Sequence, residues 1–144
     1  MKLLLLTNSY DTKRTGSVAT FAPANQFTAH FNRVVELPRY CQMCIISTQV
    51  DDADASKIHY VEFTNLPIDT VLGNASKGGN PKIIGHLISD VAGEYIKNWV
   101  DLNNPAPMTI TDIQVKIVNQ DGQLSSGLTN QTELLCGYRS SREE

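Results

Sequence analysis

The chain has 144 residues, 41% of them apolar, and a formal net charge of −3, with its 12 Lys and Arg residues scattered along it. That length and apolar content fit one domain around one core and fall below the composition of a membrane-embedded chain, which excludes a transmembrane span. Unclustered basic residues exclude the electrostatic footprint that a nucleic-acid partner needs.

The start, MKLLLLTNSYDTKR, imitates a signal peptide only briefly. Its run of leucines is shorter than the roughly 7 to 15 residues of an h-region, and no small-residue cleavage site follows. Lys2 to Asn8 is predicted as a strand or ordered arm, within an N-terminal arm spanning 1–16. Residues 9–24 read as a loop followed by a weak strand near Ser17 to Phe21. In NQFTAHFNRVVELP, Phe27, Ala29 and Phe31 alternate with Thr28, His30 and Asn32. Val34, Val35 and Leu37 then break the alternation before Pro38, which predicts a strand with a bulge or crossing. Gln42 to Val50 opens apolar on both faces (Met43, Cys44, Ile45, Ile46), which predicts a strand covered on both sides.

DDADASK, 51–57, is predicted as a solvated polar turn. Ile58 to Asn65 returns to strand and is ended by Leu66-Pro67-Ile68, and a Gly- and Asn-rich loop covers 72–82. Ile84, Leu87, Ile88, Val91 and Tyr95 have helical spacing, but Gly85 and Gly93 oppose a helix. Two short strands, Ile83 to Ile88 and Tyr95 to Leu102, are the preferred reading. Then Ile113, Val115 and Ile117 alternate with Asp112, Gln114 and Lys116, so one face of the strand is apolar and the other wet. Asp121-Gly122 suits a turn. In the last run Leu134, Cys136 and Tyr138 share one face, with Glu133, Leu135 and Arg139 on the other. These two runs are expected to pair as an antiparallel hairpin, followed by a short polar tail, 140–144. Roughly eight or nine short strands at even spacing predict an all-β sandwich or barrel. Phe27, Phe31, Ile113, Val115, Ile117 and Leu134 are its expected core.

No motif carries a complete chemistry. Cys41-Gln-Met-Cys44 is a C-x-x-C pair, but only Cys136 and isolated histidines remain to complete a zinc site. On a strand, Cys41 and Cys44 point to opposite faces. An odd count of three cysteines without an export signal suggests reduced thiols. Asp51, Asp52 and Asp54 lack the Gly and distal Glu of a calcium loop. GNASKGGNPK is not a P-loop, because Lys77 precedes Gly78 and Gly79. His30, His59 and His86 have no Ser, Cys or carboxylate in a recognisable pattern beside them, although such sites are defined in space. Asn74 and Asn130 lie in short glycosylation-type sequons. Trp99 and the tyrosines offer a sugar platform or, more commonly, packing.

Three stretches taken in order carry a resemblance. NQFTAHFNRVVELPRYCQMCIISTQV, HYVEFTNLPIDTVLGNASKGGNPKIIGHL and NWVDLNNPAPMTITDIQVKIVNQDGQL resemble, across residues 25–139, the single jelly-roll capsid proteins of virophages, polinton-like viruses and related double-stranded DNA viruses. The likeness lies in an Asn-x-Phe opening, a Leu-Pro-Ile step before an Asn/Gly-rich loop, and an ITDIxVxIxNxDG ending. The resemblance implies a single jelly-roll domain over 1–144, made of two antiparallel four-stranded sheets. It implies a virion capsid protein, with the pentameric vertex (penton) subunit as first expectation. A minor or cement capsid protein, or a receptor-binding head, is the alternative on the same fold. A carbohydrate-binding jelly-roll module is the alternative from another class. The expected partners are copies of itself and neighbouring major capsid subunits. Catalytic residues, cofactors and metals are expected to be absent, and the chain is not expected to be an enzyme.

Overall fold

The computed structural model describes residues 1–8, 22–53, 57–70, 81–90, 93–94 and 97–141. The weak strand expected at 17–21, residues 72–80 of the loop expected at 72–82, and residues 142–144 lie outside them. Among the described residues the fold is all-β. The strands are β1 (Lys2–Thr7), β2 (Gln26–Leu37), β3 (Cys41–Asp52), β4 (Ile58–Phe63), β5 (Ile83–Ile88), β6 (Gly93–Glu94), β7 (Val100–Asp101), β8 (Met108–Val118) and β9 (Leu128–Ser140).

Two antiparallel sheets form. One has the order β1-β9-β3-β6, with β7 also on β3; the other has the order β2-β8-β4-β5. Strands pair from the ends of the chain inward: β1 with β9, β2 with β8, β3 with β6 and β7, β4 with β5. The core lies between the sheets. Leu4, Leu6, Met43, Leu134 and Cys136 enter it from the five-stranded side. Phe27, Val61, Phe63, Ile113, Val115 and Ile117 enter from the four-stranded side. Of the expected core, only Phe31 is less than fully buried, packing at its margin. The broken alternation of β2 is a register shift between His30 and Val35 against β8. It lets Val35 and Leu37 return to the buried face after Val34 has turned outward.

Four expectations are corrected. The runs at 110–118 and 131–139 do not pair: β8 lies between β2 and β4, and β9 between β1 and β3, in opposite sheets. The Asp121-Gly122 turn is present, with Gly122 at φ 80° and its N–H donating to the Asn119 carbonyl at 3.1 Å. It closes a single bridge, Val118 to Leu124, before the chain crosses to the other sheet. The larger sheet has five strands rather than four. Of the strand expected at 95–102, residues 95 and 96 lie outside the described residues and only Val100–Asp101 (β7) is strand; β7, like the preceding β6, pairs with only two residues of β3. Asp51 and Asp52 belong to β3 rather than to a solvated turn, and Asp52 is buried.

The sandwich is clipped by buried amides. Asn104 accepts from the Cys41 N–H at 2.9 Å and donates to the carbonyls of Pro38 at 2.7 Å and Ala106 at 3.1 Å. It fastens the β7–β8 connection to the β2–β3 turn, where Tyr40 has φ 51°. Asn8 does the same for the start of β2, donating to Ala22 O at 2.8 Å and accepting from Thr132 N at 2.7 Å. Side chains that satisfy loop backbone in this way remove the cost of burying it unpaired.

Candidate functional site

Two features stand out from the scaffold: a buried polar cluster at one end and an apolar outer surface. The cluster joins the last residue of β3, the second residue of β4 and the β8–β9 crossover. His59 Nε2 is 3.1 Å from Asp52 Oδ2, and His59 Nδ1 is 2.7 Å from Ser125 Oγ. A neutral imidazole satisfies both contacts as one tautomer: Nε2–H donates to the carboxylate, and Nδ1 accepts from the Ser125 hydroxyl. The surroundings fix each member. Ser125 N–H donates to Ile117 O at 3.0 Å, and Ser125 O accepts from Asn25 Nδ2 at 2.8 Å. Asp52 N–H donates to Asp90 Oδ1 at 3.0 Å. A Cβ at Gly127 would collide with the Asp52 carboxylate, so that crossover position requires glycine.

Serine, histidine and aspartate in series is the order of an acyl-transfer relay. Here Ser125 and His59 are each only 3% exposed, and the Ser125 N–H is already committed to a sheet carbonyl. A nucleophile must be reached by its substrate and faced by oxyanion donors. What the arrangement provides is a cross-link between two crossovers, with every buried polar side-chain atom of the described residues partnered. Residue patterns missed it because its members lie in three segments. The one local signal, Asp52 and His59 flanking a short connection, was hidden by assigning Asp52 to solvent.

The other singled-out residues do not converge. His30 and His86 are exposed, on β2 and β5. The thiols of Cys41, Cys44 and Cys136 are free and buried. Register places Cys44 opposite Gly137 on the outer face and Ile45 opposite Cys136 on the inner one. Burial pushes the Cys136 thiol far up, and the neighbouring Cys44 adds to the shift. Burial also raises Cys44, against the hydrogen bond from the Gly137 backbone. Among the described residues no three His, Cys, Asp or Glu side chains gather in a way that could hold a metal. Asp54, Lys77 and Asn74 lie outside those residues, and the Thr132 of the second sequon is fully buried. Trp99 is half-buried, and the Arg139 guanidinium sits 3.9 Å over its ring. Arg139 Nε donates to Gln42 Oε1 at 3.1 Å, and Gln42 Nε2 donates to Asp101 Oδ1 at 2.9 Å. Tyr138 is in the core and Tyr60 is in the other sheet, so neither extends a platform from Trp99.

The second feature is the outer face of the five-stranded sheet. Leu3 is 56% and Leu5 59% exposed, Met1 is exposed, and Leu135 and Ile46 are half-buried beside them. Register puts Leu3 beside Gly137 and Leu5 beside Leu135, so these side chains form one apolar band.

The chain matches no protein-family model, no curated protein and no solved structure. No helix of the described residues is long and apolar enough to cross a membrane.

Proposed function

We propose that this chain is a viral capsid structural protein of the single jelly-roll type, and specifically the penton subunit that closes the five-fold positions of an icosahedral shell. The observation that carries the reading is the nesting of strand pairs. The first strand pairs the ninth, the second the eighth, the third the sixth and seventh, and the fourth the fifth. Nested pairing is what a jelly roll requires, since that fold is an antiparallel ribbon folded over on itself, and it supports that topology for this sandwich. With the order and spacing of the three stretches over 25–139, it supports the capsid family over other β-sandwiches. The apolar outer band suits a subunit that works by contact with copies of itself and with neighbouring capsid subunits. A closed ring requires one heterologous pair of surfaces repeated around the axis.

Under this reading the Asp52–His59–Ser125 cluster is structural, the chain is not an enzyme, and its place is the virion. The carbohydrate-module alternative loses support, because one face of Trp99 is already taken by Arg139. Mass measurement of the purified full chain, followed by cryo-electron microscopy of the particle, tests the proposal. A five-fold assembly, or density for this chain at the five-fold vertex, is the expected result. Density at a two-fold or three-fold position, or absence from the shell, overturns the vertex assignment.

A further inference from the structure

The two sheets end in four edges, and three of them are guarded against strand addition. The β2 edge is broken by the register shift between His30 and Val35 and carries exposed His30, Arg33 and Glu36. The β5 edge contains Gly85 and exposed His86, and its pairing with β4 is shifted between Val61 and Glu62. The β6 edge is two residues long. Bulges, charges and shortness are the usual means of keeping sheet edges from joining. The β1 edge has no bulge, and its one charge, Lys2, sits at its first residue. Its register with β9 runs unbroken from Lys2 to Thr7, and from Leu3 to Leu6 it has no charge, proline or glycine.

The phase of the backbone along β1 can be fixed. Asn8 N–H donates to Thr132 O at 3.4 Å, and Lys2, Leu4 and Leu6 follow in step opposite Tyr138, Cys136 and Leu134. The far side of β9 agrees. Cys41 O accepts from Leu102 N, so Cys41 and Met43 turn their backbone groups away from β9, while Gln42 and Cys44 turn theirs toward Arg139 and Gly137. Backbone groups alternate direction along an antiparallel strand. The even residues of β1 therefore bond to β9, and Leu3 and Leu5 present N–H and C=O to the open side among the described residues. The same two residues carry the exposed outer side chains.

We propose that β1 pairs antiparallel with β1 of a second copy, centred on Leu4, merging two five-stranded sheets. In this register Leu3 faces Leu5 of the second copy as a doubly hydrogen-bonded pair. The symmetric pair repeats it, so all four outward groups are satisfied on each strand. The four outer leucines then close over each other and extend the band through both copies of Leu135. Lys2 faces Leu6 of the second copy, leaving the two Lys2 charges at opposite ends, whereas a parallel pairing would set them side by side. The contact is isologous. It is additional to the heterologous contact of a five-fold ring and does not depend on the capsid reading. Edge pairing buries less than a standard interface, so the association should depend on concentration.

Sedimentation of the full chain, from low micromolar to near-millimolar concentration, tests the proposal. The wild type should double its base unit, whatever that unit is. Leu3→Lys with Leu5→Lys sets like charges opposite each other and should weaken the doubling about tenfold or more. At concentrations below the doubling its melting temperature should be unchanged, since both side chains then point to solvent. Leu3→Glu with Leu5→Glu should do the same, and mixing the two double variants should restore pairing between them. A wild type that does not double, charge variants that double as it does, or a mixture that stays apart would each overturn the inference. A five-fold ring that survives these substitutions leaves the vertex reading standing whichever way the pairing falls.

Discussion

The two outer faces of this sandwich are built on the same alternation and differ in what they show to solvent. The four-stranded sheet presents mainly polar groups, among them Thr28, His30, His86, Gln114 and Lys116, with an exposed pair, Ile58 and Ile88, at one end of β4 and β5 and Val34 exposed on β2. Several groups on this side are tied locally: Gln114 Oε1 accepts from Thr64 Oγ1 at 3.2 Å, and its N–H donates to Asn65 Oδ1 at 2.9 Å. The five-stranded sheet presents Leu3, Leu5, Ile46 and Leu135, over a buried Cys44. Folding requires apolar residues only on the inward half of each strand. The outward half is free to vary, and here one sheet shows mainly polar groups while the other carries an apolar band along β1 and β9.

The largest expected effect separates inward from outward apolar positions. Ile113→Asp or Ile117→Asp puts a carboxylate at a fully buried site, costing several kcal/mol against the ~5 to 15 kcal/mol stability of a whole domain. No soluble folded chain should be recovered. Leu5→Asp and Gln114→Asp should give protein with wild-type circular dichroism and melting, and equal damage at both kinds of site would mean that the faces are misassigned. Lys116 is a qualified case: it lies opposite Glu62, so Lys116→Glu should cost about 1 kcal/mol by setting two carboxylates face to face.

A smaller effect separates the polar end from both faces. His59→Phe leaves the buried Asp52 without its imidazole, and denaturant unfolding should show a loss of about 3 kcal/mol. Ser125→Ala removes one hydrogen bond and should lose about 1 kcal/mol. Losses of equal size would mean that the carboxylate is not held by the imidazole.

Alkaline titration separates the thiols from the rest of the core. Burial raises Cys136 above its ordinary value of 9.0, so the folded state favours the protonated thiol. That contribution is intact below about pH 9 and is lost as pH rises beyond it, at about 1.4 kcal/mol per pH unit for one group. Cys136→Ala should lower stability at neutral pH but flatten the decline above pH 9, measured by urea midpoints. The same slope in both proteins would assign the decline to Cys44 and Tyr138, which burial also raises. The smallest effect belongs to Arg139→Ala. Loss of the guanidinium from Trp99 should cost about 0.5 to 1 kcal/mol and be visible as a shift in tryptophan fluorescence.

Local patterning made much of this fold legible. The strands near 2–8, 42–50, 58–65 and 83–88, the break in β2 and the inward set Ile113, Val115 and Ile117 all follow from alternation, which is a property of neighbouring residues. Pairing is not such a property. Ile113 reads the same whether its strand lies beside β9 or across the core from it, so β8 and β9 looked like a hairpin. The cluster failed for a related reason. Asp52 in DDADASK has the composition of a solvated turn, and only the fold brings His59 and Ser125 to it. The apolar outer band was half legible: the leucines of β1 were visible as a strand or ordered arm, but not the phase that turns the Leu3 and Leu5 backbone outward.

The nesting of strand pairs has a consequence for how the chain is made. β9 lies between β1 and β3, so one of the two interior strands of the larger sheet is the last of the described strands. Lys2 waits for Tyr138 and Thr7 for Glu133. During synthesis β1 emerges well before β9, so its leucines stay unpaired until the residues that separate the two strands have been made. Contacts of such high sequence separation form slowly, and unpaired apolar strands are the species that aggregate in the interval. Yield in a heterologous host should therefore depend more on the time β1 spends unpaired, and on chaperones that cover it, than on the stability of the finished sandwich.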